Sequence, residues 1–305
     1  MRPSYFNDLE EFAEFEYLEP KTVKEVCSLL SQYNEKAKVI AGGTKLLSLM
    51  KQKKINPQYL INLKGIPNLD YINYNEEEGL KIGALTTLFE ISQSSLVNDK
   101  AKILVEAIQQ RGPGMDRTRW AYYMATIGGH LSHHVYSADL APTLIILGAK
   151  AVVEGAKGWK TIALEDFFDK TGSPAFQNDE VLTEIRIPKQ PAEIGLVFMK
   201  SSSGPDTHAF NVAVLLQLDA KHVNIEEIKI VVGGIAPYPV EAHSAEGIMK
   251  GNQIDNDLIE ETARAAAKEV GKESDPETEE RATELIEEAL RQAIDRAIGE
   301  FALGY

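Results

Sequence analysis

Val39-Ile40-Ala41-Gly42-Gly43-Thr44-Lys45-Leu46-Leu47 runs a β-branched pair into two adjacent glycines and on into an apolar pattern at helical spacing. The reading is strand, tight turn, helix. Glycine enters backbone conformations closed to other residues and lets a ligand come close to the peptide N–H groups. Amides at the start of a helix hold phosphate without help from lysine or arginine. Ala125-Thr126-Ile127-Gly128-Gly129-His130-Leu131 repeats the arrangement after an extended segment, and two such turns match the two phosphates of a dinucleotide. An isolated Gly-Gly is more often a turn and nothing else. Neither pair fits G-x-G-x-x-G or G-x-x-x-x-G-K-[ST], so the pairs by themselves leave both readings open.

Outward from the first pair, the chain reads strand, helix, strand from Glu16. Thr22 and Glu25 predict a capping box for a helix with Val23, Val26, Cys27, Leu29, Leu30 and Tyr33 on one face. Strands are expected over 38–40, 59–62 and 80–82, and helices over 88–93 and 99–110; residues 112–123 read as loop. The second glycine pair is expected to precede a helix opening near Asp139, with Leu140, Leu144, Ile145 and Leu147 on its apolar side. A hairpin around Gly158 and a strand over 181–187 follow, stopped by Pro188. Pro188 and Pro191 mark a domain boundary. Beyond it lie strands over 209–219 and 223–232, then helices over 242–249, 255–270 and 276–298. The last of these carries Leu285, Ile286, Leu290, Ile294 and Ile298 as a stripe that packs internally or extends a subunit contact. Strands and helices come in separate runs, which predicts α+β architecture and not one doubly wound sheet. The expected division is 1–190, with subdomains of about 16–63 and 64–190, followed by 191–305.

The 305 residues are 44% hydrophobic and 26% charged, an ordinary globular composition with material for more than one core. A net charge of −14 argues against nucleic acid or an anionic membrane surface as partner, since both require a basic face. The most apolar stretch, 140–153, is broken by Pro142, Gly148 and Lys150, so no membrane insertion is expected. Residues 1–16 lack the charged-then-apolar layout of a signal peptide, and a cytoplasmic location is expected. Cys27 is the sole cysteine, which excludes a disulfide framework and an iron–sulfur cluster ligated by this chain. His130, His133 and His134 form a local cluster, but His-x-x-His-His has no fourth ligand nearby in sequence, and no metal site is expected. No nucleophile–base pair or paired carboxylates stand out, so no catalytic residue is assigned.

The two glycine pairs, Ile82-Gly83-Ala84-Leu85-Thr86-Thr87-Leu88, Ser137-Ala138-Asp139-Leu140-Ala141-Pro142 and Gly233-Gly234-Ile235-Ala236-Pro237-Tyr238-Pro239-Val240 occur in order over residues 16–251. Taken together they resemble the flavoprotein (medium) subunits of molybdenum hydroxylases, the family of xanthine dehydrogenase, carbon monoxide dehydrogenase and 4-hydroxybenzoyl-CoA reductase. The resemblance implies an FAD-binding fold of two small α/β subdomains, then a C-terminal α+β domain with an antiparallel sheet and helices. It also implies the site. Ala41, Gly42, Gly43, Thr44, Lys45 and Leu46, with Thr126, Ile127, Gly128, Gly129 and His130, would wrap the FAD pyrophosphate with backbone amides. Asp139 would accept ribityl or adenosine hydroxyls, where the residues alone read equally as a helix N-cap. The backbone near Leu182 would meet the adenine, and Lys200 would lie near the flavin, where the residues alone read as a solvated strand lysine.

Three features depart from the family pattern. Lys45 stands where the family usually has aspartate, His130 where it usually has asparagine, and residues 112–123 do not match. The implied role is electron relay between iron–sulfur clusters on one partner chain, fed by a molybdenum-cofactor subunit, and an external acceptor. The expected assembly is a dimer of heterotrimers, with apolar surface exposed near the two turns to meet the iron–sulfur subunit. Two rivals remain: a self-contained FAD-dependent oxidase or dehydrogenase, and a flavin-free scaffold in which Lys45 and His130 spoil the site.

Overall fold

The computed structural model describes residues 12–110, 123–132, 140–201, 209–272 and 274–302, the side chains of the final helix being described to residue 299. The N-terminal part alternates strand and helix: β1 (Glu16–Leu18), α1 (Val23–Tyr33), β2 (Ala37–Ile40), α2 (Thr44–Lys51) and β3 (Tyr59–Asn62). The strands lie parallel in the order β1-β3-β2, with Leu60 and Ile61 of the central strand buried. Helix α1 buries Val26, Cys27 and Leu30, as its spacing predicts. Its cap differs from a capping box. Thr22 Oγ1 accepts the Glu25 N–H at 3.2 Å, but the Glu25 carboxylate accepts the N–H of Lys21, one residue upstream, at 2.6 Å. The reciprocal box forms instead at Thr87 and Glu90, at the start of α3 (Leu88–Gln93).

The middle part is an antiparallel sheet of β4 (Ile72–Asn75), β5 (Gly79–Gly83), β6 (Lys150–Gly155), β7 (Gly158–Ala163) and β8 (Val181–Ile187), ordered β4-β5-β8-β6-β7. Its helices are α3, α4 (Ser95–Lys100), α5 (Lys102–Gln109), α6 (Ile127–Leu131) and α7 (Ala141–Ile146). The single helix expected over 99–110 is two. The Ser94 hydroxyl accepts the Val97 N–H and starts α4 early, and Ala101 leaves helical geometry at φ −153°. Helix α7 is capped at Leu140 and carries Pro142 in its first turn; Asp139, His133 and His134 lie outside the described residues.

In the C-terminal part, β9 (Ile194–Lys200), β10 (Asn211–Leu218), β11 (Ile225–Gly233) and β12 (Val240–Glu241) form an antiparallel sheet in the order β12-β11-β10-β9. Helices α8 (His243–Met249), α9 (Asn256–Val270) and α10 (Pro276–Ala302) complete it. One face of the sheet, through Val212, Val214 and Leu216, packs on α10, and α8 and α9 join the same core, α8 against β11 and α9 against the other two helices. The other, through Ala213, Leu215 and Val231, joins the core beneath α5 and α7 of the middle part. Burial on both faces is why β10 carries a continuous apolar run, Val212 to Leu216. The stripe of α10 packs internally, with Ile286, Leu290 and Ile294 buried.

Strand β9 was not legible because Gly195 interrupts its apolar run. That glycine is a close-approach position: a Cβ built there would lie 1.8 Å from the Ala293 carbonyl oxygen of α10. Overpacking of this kind costs about 1–3 kcal/mol. Gly195→Ala should therefore lower the urea unfolding midpoint by that free energy, and an unchanged midpoint would mean α10 does not rest on β9 as described.

Candidate functional site

Strand β2 ends at Ile40, and the chain turns through Ala41 and Gly42 to Gly43, which sits in the left-handed region at φ +71° as the N-cap of α2. Glycine takes that conformation without the steric cost a Cβ brings. It also brings no side chain to cap the helix, and among the described residues no side-chain acceptor meets the first-turn amides. Helix starts leave such donors open. The first turn contains no acidic residue and carries Lys45, which is exposed. A cation is disfavoured at a helix N-terminus by about 0.3–1 kcal/mol unless an anion sits with it.

The back of this turn rests on the second glycine segment. A Cβ on Gly42 would lie 1.9 Å from the Met124 carbonyl oxygen, so the two backbones meet directly. The second segment is in turn hydrogen-bonded along residues 84–88. Leu88 N–H donates to the Ala125 carbonyl at 2.8 Å, Ile127 N–H to Thr86 at 3.0 Å and Gly128 N–H to Ala84 at 2.9 Å. Gly128 is pressed on Ala84, with 2.7 Å between a built Cβ and the alanine methyl. Ala84 N–H donates to the Thr183 carbonyl of β8 at 2.9 Å. Residues 41–44, 82–88 and 125–131, separate in sequence, are thus one backbone assembly.

A buried polar group backs it. Thr86 Oγ1 accepts the Tyr71 N–H at 3.1 Å and donates to the Tyr71 carbonyl at 3.0 Å. The Tyr71 phenol donates to the Glu184 carboxylate, which also accepts the Nε–H of Arg186. Burial, and then that bond to a carboxylate, push the phenol above its usual range. This group was missed in the sequence because its members are 113 and 2 residues apart and form no local pattern.

The two glycine pairs turn out unlike one another. The second lies within α6, not ahead of a helix, and Thr126 is its N-cap. Its amides are already engaged: Ile127 and Gly128 as above, Gly129 N–H on Thr126 Oγ1 at 3.1 Å, and His130 N–H on the Thr126 carbonyl at 2.9 Å. Of Thr126, Ile127, Gly128, Gly129 and His130, the residues expected around a pyrophosphate, the last four thus donate their amides within the chain. Gly129 is exposed, and among the described residues a Cβ there would meet Thr126 Oγ1 at 2.9 Å, the hydroxyl that accepts its own N–H.

Leu182 lies in β8 opposite Val153 and is buried as a whole residue, 4% exposed. The next residue, Thr183, is skipped in that register, and its carbonyl holds Ala84. Lys200 ends β9 opposite Asn211, which pairs in turn with Gly233, and Gly233 rests on Pro142 of α7. Lys200 thus belongs to a row across the C-terminal sheet and not to the glycine assembly. Leu47 and Tyr123 flank the first turn and the Met124 contact as exposed apolar groups, with the Tyr123 ring 4.5 Å from Phe89.

The chain is thus α+β, with a helix start behind a left-handed glycine that has no side-chain cap and presents neutral backbone donors. The family described as "FAD binding domain in molybdopterin dehydrogenase" matches residues 13–190, and "CO dehydrogenase flavoprotein C-terminal domain" matches residues 199–301. The carbon monoxide dehydrogenase medium chain of Hydrogenophaga pseudoflava is 30% identical over 83% of this chain and 85% of its own. The nicotinate dehydrogenase FAD-subunit of Eubacterium barkeri is 28% identical over 82% and 84%. A solved structure of the H. pseudoflava carbon monoxide dehydrogenase superposes with a TM-score of 0.82 at 28% identity, covering 93% of this chain and 98% of that one. The chain belongs to the family of FAD-binding medium subunits of molybdenum hydroxylases. Its cofactor is FAD, and it is part of an oxidoreductase.

The glycines separate by role, and a pair of variants reads the difference. Gly128→Ala should lower the stability of the FAD-free chain by about 1–3 kcal/mol through the Ala84 contact. Gly129→Ala should cost less, because its Cβ would meet a single side-chain atom, Thr126 Oγ1, among the described residues and no carbon of the core. Chemical denaturation of both FAD-free variants decides it, and equal losses would mean that Gly129 is packed and not open.

Proposed function

We propose that this chain relays electrons between iron–sulfur clusters on one partner chain and an external acceptor, while a molybdenum-cofactor subunit carries out the substrate chemistry. The observation that carries the reading is the backbone assembly of residues 41–44, 84–88 and 125–131, with the uncapped start of α2 beside it. FAD, when bound, supplies both one-electron and two-electron chemistry. The chain's own residues bind and orient it. The amides of Thr44, Lys45 and Leu46 donate to its pyrophosphate, and Lys45 adds a cation there. Ala41, Gly42 and Gly43 shape the turn, and residues 126–130 admit the diphosphate over the bare face of Gly129. The Leu182 backbone meets the adenine, Asp139 the sugar hydroxyls, and Lys200 lies toward the flavin.

The same reading divides the chain into an FAD-binding domain of 1–190, with subdomains of about 16–63 and 64–190, and a C-terminal domain of 191–305. Each part has its own sheet, although the core under α5 and α7 runs across the second junction. The relatives' designations, "medium chain" and "FAD-subunit", support larger partners. The partners proposed are a molybdenum-cofactor chain and an iron–sulfur chain, assembled as a dimer of heterotrimers. Leu47 and Tyr123 supply apolar surface on the side that would face the iron–sulfur chain. Among the described residues no helix is long and apolar enough to cross a membrane, and the proposed location is the cytoplasm.

Purification from the native host tests this directly. One acid-releasable FAD per chain and co-purification with stoichiometric molybdenum and iron are expected, and a lone chain that turns over substrate without either metal would refute the relay. Gly43→Val should lose FAD, because it adds strain at φ +71° and bulk beside the amides. Lys45→Met should weaken FAD by a smaller factor, and unchanged dissociation constants for both variants would remove the α2 start from the site.

A further inference from the structure

A second site lies at the short edge strand of the C-terminal sheet, where β12 hands over to α8. Glu241 ends β12, and His243 and Glu246 stand in the first turn of α8. His243 Nδ1 is 3.3 Å from Glu246 Oε2 and 3.7 Å from Glu241 Oε1, and the three atoms all lie within 4.8 Å of one another. A strong imidazolium–carboxylate hydrogen bond is shorter, about 2.7–2.9 Å. Two ligand atoms that share a tetrahedral zinc ion at about 2.1 Å each stand roughly 3.4 Å apart. The two distances bracket that value. The spacing is that of co-ligands and is too long for a tight ion pair.

The scaffold fixes these donors. Glu246 Oε1 accepts the Ile230 N–H at 2.8 Å, which turns Oε2 toward His243. The Glu241 and Glu246 side chains are only 11% and 12% exposed, whereas His243 is 73% exposed and leaves one side of the set open to water. The open side gives onto a cleft of about 470 Å³ walled by Glu165, Asp166, Tyr238, Pro239, Glu241 and His243. Lys229 Nζ, 3.5 Å from Glu241 and 3.6 Å from Glu165, is the lysine facing these four carboxylates. The cluster holds Glu165, Asp166, Glu241 and Glu246 against that one ammonium, so it retains excess negative charge and a cleft able to admit a hydrated cation.

We propose that Glu241, His243 and Glu246 bind a divalent first-row transition ion, with water completing its coordination. One imidazole and two carboxylates suit zinc or manganese better than the all-oxygen shells that calcium and magnesium prefer. The bound ion ties β12 to α8 at the seam where Glu165 of the middle part meets the C-terminal sheet. It stands apart from the glycine assembly and does not depend on the FAD reading.

The test uses the full FAD-containing chain, stripped with chelator and dialysed against zinc chloride, with zinc per chain measured by mass spectrometry. One zinc per chain is expected, with a melting temperature that rises on zinc addition. His243→Ala and the double variant Glu241→Gln/Glu246→Gln, in which residue 246 can still accept from Ile230, should each weaken zinc at least tenfold while retaining FAD. A chain with His133→Ala and His134→Ala should bind as the unaltered protein does. Absence of stoichiometric zinc in the unaltered chain, zinc binding by either 241–246 variant as tight as that of the unaltered chain, or loss only in the 133/134 variant would overturn the assignment.

Discussion

The Met124 carbonyl oxygen occupies the place a Cβ of Gly42 would fill, and the geometry of the cofactor site follows from that contact. It locks the turn after β2 onto the strand-like segment entering α6. That segment is hydrogen-bonded to residues 84–88, and these are pinned to β8 through Thr183. None of these links passes through a side chain that could adopt another rotamer. A site assembled backbone to backbone is rigid for the same reason that it tolerates little substitution. It also fixes where the open amides of α2 point relative to the bare face of Gly129.

The two larger parts of the chain are held together in another way. Arg296 of α10 meets Glu106 of α5 at 3.0 Å, and Lys229 meets Glu165 at 3.6 Å. Such partly exposed pairs are worth about 0–1 kcal/mol each. The shared apolar core contributes more. Phe198, Ala213, Leu215 and Val231 of the C-terminal sheet are buried against the middle part, and a buried side chain the size of Phe, Leu or Val contributes about 1.5–3 kcal/mol. Apolar burial supplies the adhesion between these parts, while the charges contribute mainly orientation.

Much of this was legible in the sequence where a local pattern carried it. The periodicity of α1, the strands at 59–62 and 181–187, the hairpin at Gly158 and the α+β layout needed only short-range signals. Asn73 and Asn75 hid the short edge strand β4, and Gly195 hid β9, because each breaks the apolar run that identifies a strand. The glycine pairs were visible, but not their difference. Gly42 is required by Met124 and Gly128 by Ala84, partners far off in sequence whose approach no spacing announces. Thr126 adds a local effect: its hydroxyl takes up the Gly129 amide, a competition that Ala-Thr-Ile-Gly-Gly does not reveal.

That competition bears on how a chain of net charge −14 comes to hold a dinucleotide diphosphate. At physiological ionic strength charges beyond about 8 Å are largely screened, so the overall charge matters less than the donors within reach. Of the two glycine pairs only the first presents amides without a side-chain acceptor, and it places Lys45 in the first turn, where a helix by itself prefers an acidic residue. Lysine in that position is mildly unfavourable for the isolated helix and favourable once an anion lies over the amides. The replacement of the family's usual aspartate by Lys45 is thus intelligible as compensation. On the proposed reading, with the amides of Ile127, Gly128, Gly129 and His130 engaged within the chain, the amides of α2 and the Lys45 cation would be the groups that meet the diphosphate.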